Sequence, residues 1–460
     1  MNAPPLRLTP RALTLHLFAV TLLSTVSLIY LVAAQAPADT PRSDARVYVQ
    51  LALGLSEFGV FGRYRDGDHV PAPAMDVAPL YPWFLAHVMH TDETLRDTLR
   101  CAMSPHRVDA PPCPQHYQRV VQVQLGLLAV TLTLLWATAL VWTTRPLCAW
   151  LAWLMALAAG IVPEYAAGYL TEVLVLPLGG VFTLALALVI KRRHATPAAT
   201  LAGLALGLLA LTRPSFWYLL LALAGVTAML ALLPRWRRDS GPLALLCLVA
   251  ALVTGPWLLR NHTHFERYTL SGGDYGSRSL LQRLAYNDMT LAECAAAFVY
   301  WLPDWGDSLA RALLPPATYR RLGWDGQQTF YRRGVARMRA DMRGGVVQSE
   351  VGNLLRDEVF PQPLRHGRAT LALAWRGIFI GKTWGFVAWL CAALALWRES
   401  RRRRYDYLLL CLPAWFLCLF QAAVSVSIPR YNLLLLPVLA LAMAQQLEPV
   451  LRRRRSSHPT

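Results

Sequence analysis

An all-α membrane protein with about ten spanning helices is the fold this sequence predicts, on three observations. Of 460 residues, 55% are hydrophobic and only 16% charged, with mean hydropathy +0.35, which is too apolar for a soluble chain. The apolar residues gather into runs near the roughly 20 that a bilayer crossing takes. The arginines fall between those runs instead of alternating with aromatics along one face, so the net charge of +18 reads as membrane topology and not as a nucleic-acid surface.

The first run, 12–34, follows Arg7 and Arg11. AAQA at 33–36 resembles a signal-peptide cleavage site, but the run exceeds the usual apolar core and Pro37 would follow the cut, so the segment is read as a retained span. Further runs lie near 120–142, 146–162, 167–190, 198–212, 215–233, 241–259, 378–397, 405–425 and 430–447. With the N-terminus inside, Arg145, KRRH (191–194), RWRR (235–238), RESRRRR (398–404) and the tail RRRR (452–455) all fall on the cytosolic side, as the positive-inside rule requires.

The expected organisation is a tail and first span (1–34), an outer loop (35–119), six spans (120–259), an outer cap (260–370), three spans (371–447) and a basic cytosolic tail (448–460). Both outer segments are too long for plain connectors and are expected to be partly folded. The first holds an apolar-stepped helix over 47–58, with Tyr48, Leu51 and Leu55 placed to anchor it to the bilayer. A second helix, PLYPWFLAHVMH (79–90), carries Tyr81, Trp83 and Phe84, residues suited to a membrane interface.

Of eight cysteines, six lie in or near apolar stretches without CxxC or Cys/His spacing for zinc and read as small core residues. Cys101 and Cys113 flank a polar, Pro-rich segment on the outer side, and a disulfide is predicted between them.

Charges at membrane depth are costly, so those that remain are functional candidates. Glu164 lies in the outward turn IVPEYAAGY and Glu172 at the start of the apolar helix in GYLTEVLVLPL. The structural alternatives are a cap on a helix beginning near Tyr165 and snorkelling to the interface. Arg213 and Arg430 fall in short outward turns where arginine is unexpected, Arg260 closes the span that enters the second outer loop, and a guanidinium fork suits either a ligand phosphate or a lipid headgroup. Lys382 either reaches a phosphate or marks where a surface helix enters the span. Asp44 follows the first run and, taken alone, is a helix N-cap together with Ser43.

Six stretches occur in an order that resembles GT-C glycosyltransferases: SDARVYVQLALGL, PLYPWFLA, GYLTEVLVLP, LTRP, GPWLLRNH and PRYNLLLLPVLAL. The branch they are most similar to is that of the protein O-mannosyltransferases and the aminoarabinose lipid A transferases. The resemblance runs through residues 10–260 and 425–447 and barely touches the cap. It implies a multi-pass inner-membrane enzyme, monomeric, that takes a sugar from a polyprenyl-phosphate carrier on the outer face and passes it to a lipid, glycan or protein acceptor. It further implies Asp44 as general base in an inverting single displacement. Arg213, Arg260, Arg430 and Lys382 would meet the donor phosphate. Glu172, with Glu164 as a secondary site residue, would orient the acceptor or, with Asp44, hold a divalent metal. No metal is assigned. The alternative reading is a transporter or flippase of lipid-linked saccharide, a class expected to carry interrupted helices in matching halves.

Overall fold

The computed structural model describes residues 8–456 apart from 34–40, 42, 66–68, 105–112, 236, 238–239, 273 and 345. The cleavage-like segment after Ala33 and the ends of the basic tail lie outside the described residues. The chain divides into two compact units, Met1–Gly272 with Ala440–Thr460, and Gly273–Leu439.

The first unit contains α1 (Pro10–Ala33), α2 (Asp44–Phe58), α3 (Leu80–His90), α4 (Glu93–Met103), α5 (Gln118–Thr143), α6 (Pro146–Ala158) and the single turn α7 (Ile161–Glu164). It continues with α8 (Glu172–Ile190), α9 (Ala195–Thr212), α10 (Ser215–Leu232) and α11 (Ser240–Phe265). In the second unit come α12 (Asp274–Leu284), α13 (Leu291–Tyr300), α14 (Gly306–Leu313), α15 (Pro316–Leu322) and α16 (Phe330–Asp341). A two-residue hairpin follows, β1 (Met342–Arg343) with β2 (Val346–Val347) in the register Met342 to Val347. Then come α17 (Val351–Leu354), α18 (Pro363–Gly377), α19 (Thr383–Arg401) and α20 (Asp406–Val424), and α21 (Leu435–Ser456) passes from the second unit into the first.

Seven of the described helices, α1, α5, α8, α9, α10, α11 and α20, are long and apolar enough to cross a membrane. The three other expected spans are also helical, but α6 has only 13 residues, α19 ends in a charged turn, and the apolar part of α21 is short.

Side-chain pairs fix the direction of each helix in the first unit. α1 runs antiparallel to α5, with His16 near Trp136 and the Thr21 and Thr133 hydroxyls 3.2 Å apart. It runs parallel to α6, because the Trp150 and Trp153 indoles donate to His16 Nδ1 and Ser24 Oγ. α9 and α11 are parallel and unusually close. A Cβ on Gly203 would stand 2.5 Å from the Leu246 carbonyl oxygen, and one on Gly207 2.6 Å from Val253 Cβ. Two glycines four apart thus form the flat face that lets two apolar helices touch. Short connections then alternate the rest, so that the N-termini of α5, α8 and α10 and the C-termini of α1, α9 and α11 share one end. Arg145, Lys191, Arg192 and Arg235 lie at the other, where Arg145 pairs with Glu448 at 3.1 Å.

Several boundaries differ from those the sequence predicts. The span expected from residue 167 starts at Glu172, because the backbone of 165–171 turns before the helix begins. The first surface helix starts at Asp44, three residues early, and Leu51 is buried inside the protein instead of facing lipid. Tyr81 likewise points inward and is fully buried, whereas Trp83 is exposed. A further helix, α4, was not expected; Asp92 caps it by accepting from the Leu95 amide, and the Cys101–Cys113 disulfide joins its end to the segment before α5. In place of a cap confined to 260–370, α11 runs on to Phe265, and the second compact unit takes in α18, α19 and α20.

The second unit has a small core of Leu280, Leu281, Leu284, Val347, Leu354 and Val359. Its α13 opens with a capping box, in which Thr290 and Glu293 satisfy each other's free amides.

Candidate active site

A buried amide in an apolar helix sets the site. Gln124 of α5, fully buried, donates from Nε2 to the carbonyls of Ala166 and Gly168 at 2.8 and 3.0 Å, and its Oε1 accepts from the Tyr81 hydroxyl at 3.2 Å. The turn 165–171 is thereby held open, and it delivers Thr171 and Glu172 to the first turn of α8, where unsatisfied helix amides favour a carboxylate.

Glu172 is 1% exposed, and Arg213, the residue that ends α9 at the same end of the bundle, meets it. The Arg213 Nη2 lies 2.6 Å from Glu172 Oε1, and its Nε donates to Thr171 Oγ1 at 2.7 Å. Two adjacent residues therefore fix the guanidinium in both position and plane.

Asp44 heads the helix whose Tyr48 packs on Tyr81, the partner of Gln124. It is the first residue of α2 and exposed, with Ser43 in the N-cap position at φ 51 and making no side-chain cap bond. Four residues on, and so on the same helix face, Tyr48 packs edge-on against Tyr81 at 5.2 Å. Burial holds the Tyr81 phenol well above its ordinary pKa, and Tyr169, Tyr48 and the Glu172 charge add to this. Tyr81 is accordingly a neutral donor linking α2, α3 and α5.

A groove of about 670 Å³ lies in the same unit. Trp83 and His87 of α3, Leu174, Pro177 and Leu178 of α8, and Leu208 of α9 line it. Leu174 stands two residues after Glu172 and Leu208 five before Arg213, so α8 and α9 carry both the charges and part of the groove wall, and neither charge is itself a lining residue.

The remaining sequence candidates have contacts of their own. Glu164 ends the single turn α7, exposed, and no helix begins at Tyr165 for it to cap. Arg260 directs Nη1 to the Ala74 carbonyl and Asn261 Oδ1, at 2.7 and 2.8 Å, and Nη2 to the Phe61 carbonyl at 3.4 Å. Its guanidinium also lies 4.7 Å over the Trp257 ring, so it is used in holding segment 61–74. Arg430 and Lys382 belong to the second unit. Arg430 is half-buried in a turn at 429–432, and Lys382 is exposed, 4.0 Å from Asp304. Among the described residues no three His, Cys, Asp or Glu side chains gather as a metal-ligand set.

Sequence reasoning did not single out Gln124 or Thr171, and it placed Tyr81 at the membrane interface. The signal for Gln124 was present, as an amide pair, Gln122 and Gln124, in the otherwise apolar run VVQVQLGLL.

No family model matches the sequence, and no curated relative was found. The structure is similar to that of ArnT from Cupriavidus metallidurans bound to undecaprenyl phosphate, with a TM-score of 0.48, 14% identity, and coverage of 96% of this chain and 61% of that one. Against the apo state of the same protein the TM-score is 0.37 at 14% identity, covering 94% of this chain and 76% of that one. The chain thus spans 61% of the length of the first of these solved chains.

Proposed function

We propose that the protein is a membrane glycosyltransferase of GT-C type that takes a sugar from a polyprenyl-phosphate carrier. The observation that carries this reading is an oriented Arg213–Glu172 pair on the same two helices, α8 and α9, that help to line an apolar groove of about 670 Å³. An amphiphile with an anionic head and a long isoprenoid tail has the matching chemistry: the tail lies along α3 and α8, and the phosphate meets cations at the end of α9. The six sequence landmarks support the same reading.

In the reaction, the Asp44 carboxylate takes the proton of an acceptor hydroxyl as that oxygen attacks the anomeric carbon. The bond from that carbon to the lipid phosphate breaks, the electron pair leaves with the phosphate, and the configuration inverts. Cations fixed before the reaction stabilise the charge growing on the leaving phosphate. Arg213 is assigned to that role, and Arg430 and Lys382 of the second unit are each proposed, separately, for a donor phosphate. Arg260, with both Nη groups on the first outer segment, is assigned to holding that segment. Glu172 orients Arg213, and Glu164 is left with at most a peripheral contact to the acceptor. The acceptor is a lipid, glycan or protein, and the site faces the exterior of the cytoplasmic membrane, since the opposite end of the bundle carries the basic turns.

The test is to supply purified protein in liposomes with polyprenyl-phosphate-linked sugars and a membrane extract as acceptor. A transferase releases free polyprenyl phosphate in step with labelled acceptor. Movement of intact donor between leaflets, with no polyprenyl phosphate released, would instead mean a transporter.

A further inference from the structure

We infer that Arg376 is a positioning residue for Arg430. It grips the linker between α20 and α21 and so sets where the Arg430 guanidinium stands, and the inference rests on the phosphate role proposed above for Arg430.

Arg376 is 6% exposed, near the end of α18. Its Nε donates to the Ser427 carbonyl at 3.1 Å and its Nη2 to the carbonyl of Val426. The guanidinium plane lies over Trp301 and over Trp324, 4.6 Å from each ring centre. A buried cation is expensive without a carboxylate, and this one is committed to the backbone of a linker. The linker needs that hold, because Ser427 adopts φ 38, a conformation that non-glycine residues rarely take.

The next residue of α18 grips the other side. The Gly377 carbonyl accepts from Asn432 Nδ2 at 2.9 Å, and a Cβ on Gly377 would stand 2.5 Å from Ser427 Oγ and 2.6 Å from Asn432 Nδ2. Arg430 lies between these two anchors. Arg283, fully buried, ties the end of α20 to α18 by donating to the Ala422 carbonyl at 2.6 Å and to Thr370 Oγ1 at 2.9 Å. Lysine at 376 would keep the charge but lose the planar fork that reaches two carbonyls and stacks between two indoles.

The experiment compares wild type, Arg376→Lys, Arg430→Ala and the double variant by hydrogen exchange over 425–432 and by affinity for farnesyl phosphate. Arg376→Lys is expected to speed exchange in that peptide while α12 keeps its protection. It should weaken farnesyl phosphate binding about tenfold, with the double variant no weaker than Arg430→Ala, as expected of residues acting in one chain. Unchanged exchange in Arg376→Lys, or additive losses of affinity, overturns the positioning role. Faster exchange with affinity unchanged in both single variants overturns instead the phosphate role of Arg430 on which the inference rests.

Discussion

Glu172 and Arg213 are joined across two helices at 2.6 Å, with the Arg213 Nε held in addition by the hydroxyl of Thr171. The carboxylate is 1% exposed and the arginine side chain 16%, so the two charges compensate each other with little water around them. Glu172→Gln leaves a buried guanidinium with a neutral partner and is expected to destabilise the protein by about 3–5 kcal/mol. The double variant Glu172→Gln/Arg213→Gln should recover part of that loss. Thermal unfolding of wild type and the two variants in detergent measures both effects, and equal melting temperatures for wild type and Glu172→Gln would show that the pair does not hold the two helices.

The contact of α9 with α11 rests on Gly203 and Gly207. A leucine at 207 would have to displace Val253, whose Cβ stands 2.6 Å from the position of the new Cβ. Overpacking of this kind costs about 1–3 kcal/mol or more. A Cβ on Gly225 of α10 would meet nothing within 4 Å, so Gly225→Leu is the control and should stay within about 0.5 kcal/mol of wild type. Melting temperatures of the two variants make the comparison.

Burial, with the Arg283 charge beside it, pushes the His366 imidazole from 6.5 down to about 4. Between those values the unfolded chain binds a proton that the folded chain refuses, so stability is retained above pH 6.5 and falls as the pH drops toward 4. His366→Gln cannot take up that proton. Its melting temperature should therefore fall less steeply than that of wild type over the same pH range.

The spans were legible because a bilayer crossing imposes length and apolarity, and each arginine-rich connection marks a helix end. The positions of Glu172 and Arg213 were legible for the same reason, as charges where the membrane tolerates few. Their pairing was not, because it depends on the turn 165–171, which Gln124 shapes from 42 residues away along the chain. Arg260 illustrates the limit of composition. From sequence it matches any outward arginine, and only its bonds to the Ala74 and Phe61 carbonyls separate it from a ligand-binding cation. Arg376 and Arg283 were invisible for a similar reason, since each lies in an ordinary charged segment and is buried by tertiary packing alone.

The central claim is that a carboxylate at the head of α2 takes the acceptor proton. Asp44 is exposed and Ser43 holds the N-cap position, so replacing Asp44 by Asn removes a base without removing a cap. The most direct measurement is the rate of sugar transfer by Asp44→Asn relative to wild type, with melting temperature and farnesyl phosphate affinity followed alongside. A base in this position predicts a loss of about 10²–10⁴-fold in transfer, with stability and affinity retained. Transfer at the wild-type rate in that variant would contradict it.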